Sequence, residues 1–231
     1  MATNIETMDF STIAFSKQKV KSANKFIYVY SQKKALKFRL PKMRLPFGLQ
    51  KDTMSKKNQY LVDFSFENNS KLLESFQKFD AFIISKVHQE FFPEKTIETV
   101  KAMYSSYLKY PENPMFSPTL RSKIIVGDDD TIKCEFYENE QVDGKYPKVD
   151  IAEKGNGEYL TQVMGKGSHN QSIIECIGLW FFGDKFGLSF KVTQVMLYHP
   201  EPVEEKEQVD ECQFVDTDTD TSNSEVDYLG E

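Results

Sequence analysis

Cysteine is scarce. The 231 residues hold three, Cys134, Cys176 and Cys212, odd in number and far apart. That argues against a disulfide framework and fits a reducing compartment, with Cys134 and Cys176 expected as small core residues on strands. Histidine is as rare, and His88, His169 and His199 stand isolated, without metal-ligand spacing to the cysteines. No apolar run approaches the roughly 18–20 residues that cross a bilayer. Met1 to Phe15 has neither a basic lead nor a long apolar stretch, so no secretory signal and no membrane partner are expected. The expectation is a soluble intracellular protein.

The groups that would make an enzyme are also missing. Gly165-Lys166-Gly167-Ser168 looks like a phosphate loop, but it lacks the glycine five positions before the lysine and the Ser/Thr directly after it. A strand-connecting loop of small residues is the simpler expectation. Asp128-Asp129-Asp130 is a carboxylate triplet in turn chemistry, a feature more often solvated than metal-bound. Neither catalysis, nor a cofactor, nor a metal is expected.

What the chain does have is charge, unevenly placed. The formal net charge is −6. Residues 201–231 carry twelve acids and one base, Lys206, a sum of −11, so residues 1–200 carry +5. From Lys17 to Lys57 there are thirteen Lys/Arg and one acid, Asp52. A basic body with an acidic tail follows, divided at 1–200 and 201–231. Past Pro200 no apolar periodicity remains and Asp216 to Thr221 is low in complexity, so the tail is expected to be disordered. Near its end Val226-Asp227-Tyr228-Leu229 sets apolar residues among acids, the make-up of a docking peptide for a basic groove.

The body reads as mainly β. Residues 1–16 suggest a loose arm. Lys25 to Tyr30 is a strand with Phe26, Tyr28 and Tyr30 on one face and Ile27 and Val29 on the other. In Ala35 to Leu40, apolar Leu36, Phe38 and Leu40 alternate with Lys37 and Arg39, a half-buried strand with a basic solvent side that Pro41 should end. Asn58 to Phe66 alternates again, with Tyr60, Val62, Phe64 and Phe66 together. Leu72, Phe76, Phe79, Ile83 and Val87 form a helical stripe, and Ile97, Val100, Tyr104, Tyr107 and Leu108 continue a helical rhythm after Pro93. This makes a helical insertion at about 68–110. Thr119 to Val126 and the run of Ile132, Cys134 and Phe136 predict a hairpin around Gly127 to Asp130. Val149 to Ile151, Tyr159 to Met164, Ser172 to Phe182 and Phe186 to Tyr198 predict further strands, with Gly183-Asp184 a turn and Leu188, Phe190, Val192 and Val195 in the core. Short strands with one helical interruption predict an OB-fold-like Greek-key barrel.

Basic charge interleaved with aromatics on strands is the pattern of a single-strand track, where cations follow phosphates and rings stack on bases. The candidates are Tyr28, Tyr30, Lys33, Lys34, Lys37, Arg39, Lys42 and Arg44. The chain's one tryptophan, Trp180, precedes Phe181-Phe182, and alternation forces at least one of the three rings outward.

The stretch Trp180-Phe181-Phe182-Gly183-Asp184-Lys185-Phe186-Gly187-Leu188-Ser189-Phe190-Lys191-Val192-Thr193-Gln194-Val195 resembles the closing hairpin of the OB-fold single-stranded-DNA-binding proteins of short-tailed phages and their relatives in large eukaryotic DNA viruses. The order of parts is similar too: a basic β start, a helical insertion, Pro114-Met115-Phe116, an acidic-turn hairpin, the Gly165 to Ser168 loop, the closing hairpin and an acidic tail. The resemblance implies single-stranded DNA as partner in replication, recombination and repair, with Trp180, Lys185 and Lys191 near it. It also implies a tail that docks replication enzymes such as polymerase or helicase/primase and competes with DNA. Asp227, Tyr228 and Leu229 are then the docking candidates, although the phage tails end in an aromatic and here Tyr228 sits three residues early. A homodimer is compatible, and so is a viral replication site in host cytoplasm or nucleus. Two alternatives stay open: an RNA-binding or transcription-associated OB protein, and a non-enzymatic virion or scaffold protein.

Overall fold

Alternation of apolar and polar residues over long runs builds most of this molecule. A computed structural model describes residues 2–16, 25–53 and 58–199, within a unit spanning Met1–His199. A second unit, Pro200–Glu231, lies outside the described residues, and with it the expectations for Cys212, Asp227, Tyr228 and Leu229. The strands are β1 (Ile13–Phe15), β2 (Lys25–Ile27), β3 (Val29–Ser31), β4 (Lys34–Arg44), β5 (Leu49–Lys51) and β6 (Gln59–Ser65). Helices α1 (Ser70–Phe91) and α2 (Ile97–Met103) follow, then β7 (Leu108–Lys109), β8 (Thr119–Ile125), β9 (Glu135–Glu138) and β10 (Lys148–Val149). Helix α3 (Gly157–Val163) precedes the two longest strands, β11 (His169–Phe182) and β12 (Lys185–Leu197).

The sheet order is β1-β3-β4-β11-β12-β8-β6-β5, with β2 on β11, β7 on β8, and β9 on β12 carrying β10. Two pairings, β12 with β8 and β12 with β9, are parallel. The architecture is mainly β and OB-like, with a helical insertion between β6 and β8.

One face of the sheet is core. Leu36, Phe38, Leu40 and Met43 of β4, Ile174, Cys176 and Leu179 of β11, and Phe186, Leu188, Phe190, Val192 and Val195 of β12 are all buried. The predicted stripe of α1 lies on them: Leu72, Phe76, Phe79, Ile83 and Val87 are its buried residues, with Asp80. Phe76 meets Phe38 at 5.8 Å and Phe190 at 6.4 Å between ring centroids. Each such side chain contributes about 1.5–3 kcal/mol by leaving water. Because α1 covers the inner face, the opposite face of β4, β11 and β12 is left for solvent or a ligand.

Several expectations are corrected. Residues 2–16 are no loose arm. Ile5, Ile13 and Phe15 are buried, β1 pairs with β3, and Thr3 exchanges backbone hydrogen bonds with Lys37 and Arg39. Pro41 does not end β4. Three β4 steps from Arg39 to Lys42 oppose two β11 steps from Ile173 to Gln171, so a bulge absorbs the residue that has no N–H to donate. The helical rhythm stops at Met103, and Tyr107 and Leu108 are buried as extended chain beside β8. Tyr159 to Met164 is helical, not a strand. The Gly127 to Asp130 turn is present, but only one bridge, Val126 to Ile132, closes the predicted hairpin, and β9 leaves to pair with β12.

Candidate nucleic-acid interface

The bulge at Pro41 keeps the basic side chains of β4 on one side of the sheet. Lys37, Arg39, Lys42 and Arg44 all face away from the core, with Leu36, Phe38, Leu40 and Met43 between them pointing in. Register carries this side across the neighbouring strands. Lys37 opposes Glu175 of β11, Glu175 opposes Lys191 of β12, and Lys191 opposes Lys123 of β8. One row of four charges thus crosses four strands. Glu175 is paired in both directions, 3.5 Å from Lys37 Nζ through Oε2 and 3.0 Å from Lys191 Nζ through Oε1.

The next rows place Arg39 beside Ile173 and Gln194, then Lys42 beside Gln171 and Met196, then Arg44 beside His169. Lys42 Nζ stands 4.1 Å above the Tyr198 ring, and Arg44 Nη1 is 3.4 Å from Glu67. Arg39, Gln171, Ile173, Gln194 and Met196 form the floor of a groove of about 510 Å³. Its far wall is Tyr137 of β9 and Lys145-Tyr146 of the loop before β10. Glu135 borders it, held down to about 2 by the Lys148 ammonium at 2.8 Å and the Gln194 amide.

Toward the β11–β12 turn the same face becomes aromatic. A second bulge, at Cys176 to Gly178, resets the alternation so that Trp180 and Phe182 point outward while Leu179 and Phe181 turn in. Phe181 packs on Phe91 and Phe186. Trp180 opposes Phe26 of β2 and Gly187 of β12. The indole lies across Gly187, where an added Cβ would come within 2.7 Å of Cζ2. Phe26 and Tyr28 pack edge to face at 5.4 Å. They are 45% and 62% exposed, and Phe182 is 67% exposed. Among the described residues this is where large rings are most openly presented on a strand face.

The structure therefore gathers Tyr28, Lys37, Arg39, Lys42, Arg44, Trp180 and Lys191 on one face. Tyr30 shares that side but is half-buried, with its hydroxyl donating to the Phe15 carbonyl at 3.0 Å. Lys33 and Lys34 sit exposed at the β3–β4 turn, at the edge of the face. Lys185 reaches the other way and donates to the Ala102 carbonyl at 2.8 Å, tying the hairpin tip to α2. Sequence reasoning missed Phe26 and Phe182 as the exposed rings, Lys123, the Tyr137, Lys145 and Tyr146 wall, and above all Glu175. Lys123 was legible from the alternation of β8, and the Lys145-Tyr146 pair repeats the basic-aromatic signature of the first strands. The pairing that gives Glu175 its meaning needs the register.

The features set aside in the sequence take structural roles. In the Gly165 to Ser168 loop, Gly167 donates to the Leu45 carbonyl and Ser168 accepts from the Leu45 N–H. Gly48 packs so closely on it that a Cβ would lie 2.6 Å from the Lys166 nitrogen. The loop joins α3 to β11. Cys176 is a core thiol whose ionisation burial pushes well up. No group of three or more metal-binding side chains is present among the described residues.

No family profile and no curated protein matches the chain. Among solved structures, it is similar to the single-stranded DNA-binding protein from bacteriophage Enc34 in complex with ssDNA, with 9% identity, a TM-score of 0.47, and 80% of this chain and 94% of that one covered. A C-terminal truncation of that phage protein gives 8% identity and a TM-score of 0.47, covering 83% and 97%. The single-stranded DNA binding protein gp2.5 encoded by bacteriophage T7 gives 15% identity and a TM-score of 0.43, covering 79% and 99%.

Proposed function

We propose that the protein binds single-stranded DNA along the outer face of β4, β11 and β12. The observation that carries this is the continuity of that face. Exposed Phe26, Tyr28 and Phe182 lead through Trp180 into Lys37, Arg39, Lys42, Arg44 and Lys191, with the groove beside Arg39 between strand floor and Tyr146. The 13 residues of β12 give the track a length of roughly 40 Å, room for several nucleotides. Cations on such a track meet phosphates, while rings reach only the faces of unpaired bases. Stacking contributes about 1–3 kcal/mol per base and is indifferent to base identity. The expected behaviour is preference for single strands with little sequence preference.

The proposal extends to the tail on charge alone. A segment of net charge −11 tethered to a body of +5 is held at an effective concentration in the millimolar range, high enough to compete with weak polyanions for the cationic face. Its Asp227-Tyr228-Leu229 would then serve replication partners as an acidic docking peptide. Coating of single strands in replication, recombination and repair is the role that fits both parts.

The test is a titration with single- and double-stranded oligonucleotides of equal length at two salt concentrations, read by Trp180 fluorescence. Four to six phosphate contacts give a slope of log K on log salt of roughly −3 to −4, at about −0.7 per contact. Salt-independent affinity, or equal affinity for duplex, would contradict the proposal. Equal-length RNA in the same assay separates a DNA from an RNA track, since 2′-hydroxyl contacts alone distinguish them. Removal of residues 201–231 is expected to tighten single-strand binding at low salt, and an unchanged affinity there would remove the competition mechanism.

A further inference from the structure

An acid in the middle of a cationic track is unexpected. Glu175 occupies the centre of the row formed by Lys37, Glu175, Lys191 and Lys123, and its side chain is only 16% exposed between the two lysines that flank it. Each of its oxygens is taken by a different ammonium, so it fills the place where one phosphate would join both cations. The lysine partners are still 38% and 32% exposed, so solvent screens both pairs and fold stability gives little reason for this placement.

We propose that Glu175 is a built-in phosphate stand-in, which holds Lys37 and Lys191 ready in the free protein and opposes a DNA phosphate at that row. The inference rests on the single-strand track proposed above and adds a regulator of its affinity. A phosphate arriving at Lys37 or Lys191 meets an ammonium that already has a carboxylate 3.5 or 3.0 Å from its nitrogen. Like charges brought together across an interface cost binding and suppress unsuitable partners. The DNA backbone is therefore held mainly by the cations beyond the row, Arg39 and Lys42, and the row contributes one net positive charge fewer than its lysines suggest. The effect is a track that releases its strand readily. A base-reading role fits less well, because a carboxylate with both oxygens engaged by ammonium groups has little capacity left for a base amino group.

The experiment compares the full-length wild type with Glu175→Gln, an isosteric change that removes the charge and keeps the strand contacts. Affinity for oligothymidylate is measured from 50 mM to 1 M salt, with oligodeoxycytidylate in parallel and thermal melting as the folding control. One phosphate contact regained steepens the slope of log K on log salt by about 0.7. Over that salt range this amounts to roughly an eightfold gain at 50 mM. In the same background Lys37→Gln is expected to weaken binding more than it does in the wild type, because Lys37 no longer shares its charge with Glu175. If Glu175→Gln does not fold, Glu175→Thr, a β-branched strand former, carries the same expectation. Unchanged or weaker binding to oligothymidylate by a folded variant overturns the inference while leaving the track standing. A selective loss for oligodeoxycytidylate overturns it in favour of base reading. Failure of the wild type to bind either oligonucleotide overturns the inference and the track together.

Discussion

The buried carboxylate of Asp80 gives the fold a pH response between about 4 and 6. Asp80 points from α1 into the core and accepts hydrogen bonds from Tyr104 at 2.7 Å and Ser106 at 2.8 Å. Burial outweighs those bonds and raises its pKa to about 6. An acid whose folded-state pKa lies above its unfolded value favours the fold when protonated. Its contribution is therefore complete below about pH 4 and is lost as pH rises through about 6. Two pH units of linkage correspond to on the order of 2–3 kcal/mol. Urea unfolding between pH 4.5 and 7.5 is expected to show wild-type stability falling with pH relative to Asp80→Asn, which cannot ionise and retains a carbonyl for Tyr104. Parallel pH dependences in the two proteins would remove Asp80 as the cause. Alternation carried part of the site: Lys37 and Arg39 were legible because Leu36, Phe38 and Leu40 assign them a face, whereas Lys42 and Arg44 join that face only through the bulge at Pro41. Asp80 and Glu175 were not legible. Helical spacing puts Asp80 on the apolar stripe, four after Phe76 and three before Ile83, but only the packed partners show its carboxylate enclosed. The pairing of Glu175 needs the register.

Among the elements, the β3–β4 hairpin holds a correctable strain. Its two central residues, Gln32 and Lys33, both have positive φ, 49° and 63°, without a glycine between Ser31 and Lys34, which pair across the turn. That is the pattern of a type I′ turn, which favours Asn-Gly. Gln32→Asn with Lys33→Gly is expected to raise stability by about 1 kcal/mol and the thermal midpoint by several degrees. A fall in midpoint would show that the turn conformation is wrong. The double substitution also removes one cation from the edge of the face, so its DNA affinity reports whether Lys33 belongs to the track. Helix α1 and strands β11 and β12 were legible because their periodicity runs for three or more turns or a dozen residues. The short stretch from Tyr159 to Met164 was not, because Tyr159, Thr161 and Val163 alternate like a strand over a window too short to tell. Burial of Leu160 and Met164, four apart on one helix face, decided it. Substitution of Phe76, where α1 meets Phe38, Phe66, Tyr107 and Phe190, by alanine is expected to cost about 3–5 kcal/mol in chemical denaturation.

At the scale of the whole body, the organising fact is an asymmetry of faces. The inner face of the sheet is sealed by α1, and the outer face carries rings at one end and cations toward the other. Charge arithmetic made a basic body visible in the sequence, but charge sums have no direction, and only the strand order joins β4 to β11 and β12 to β8. The structure also changes which variants are informative. Lys37→Glu would set two carboxylates across one register position with Glu175, confounding charge loss with strain. The decisive measurement is therefore the single-strand affinity and salt slope of Arg39→Glu with Lys42→Glu, set against Lys71→Glu with Lys78→Glu on the exposed side of α1, which reverses the same charge elsewhere. Loss of two phosphate contacts on the outer face should flatten the slope by about 1.4. Affinity at 50 mM salt should then fall by roughly sixtyfold or more, with the thermal midpoint unchanged, while the α1 variant binds nearly as the wild type does. Equal losses in both variants, or none in the first, would contradict the assignment of single-stranded DNA to this face.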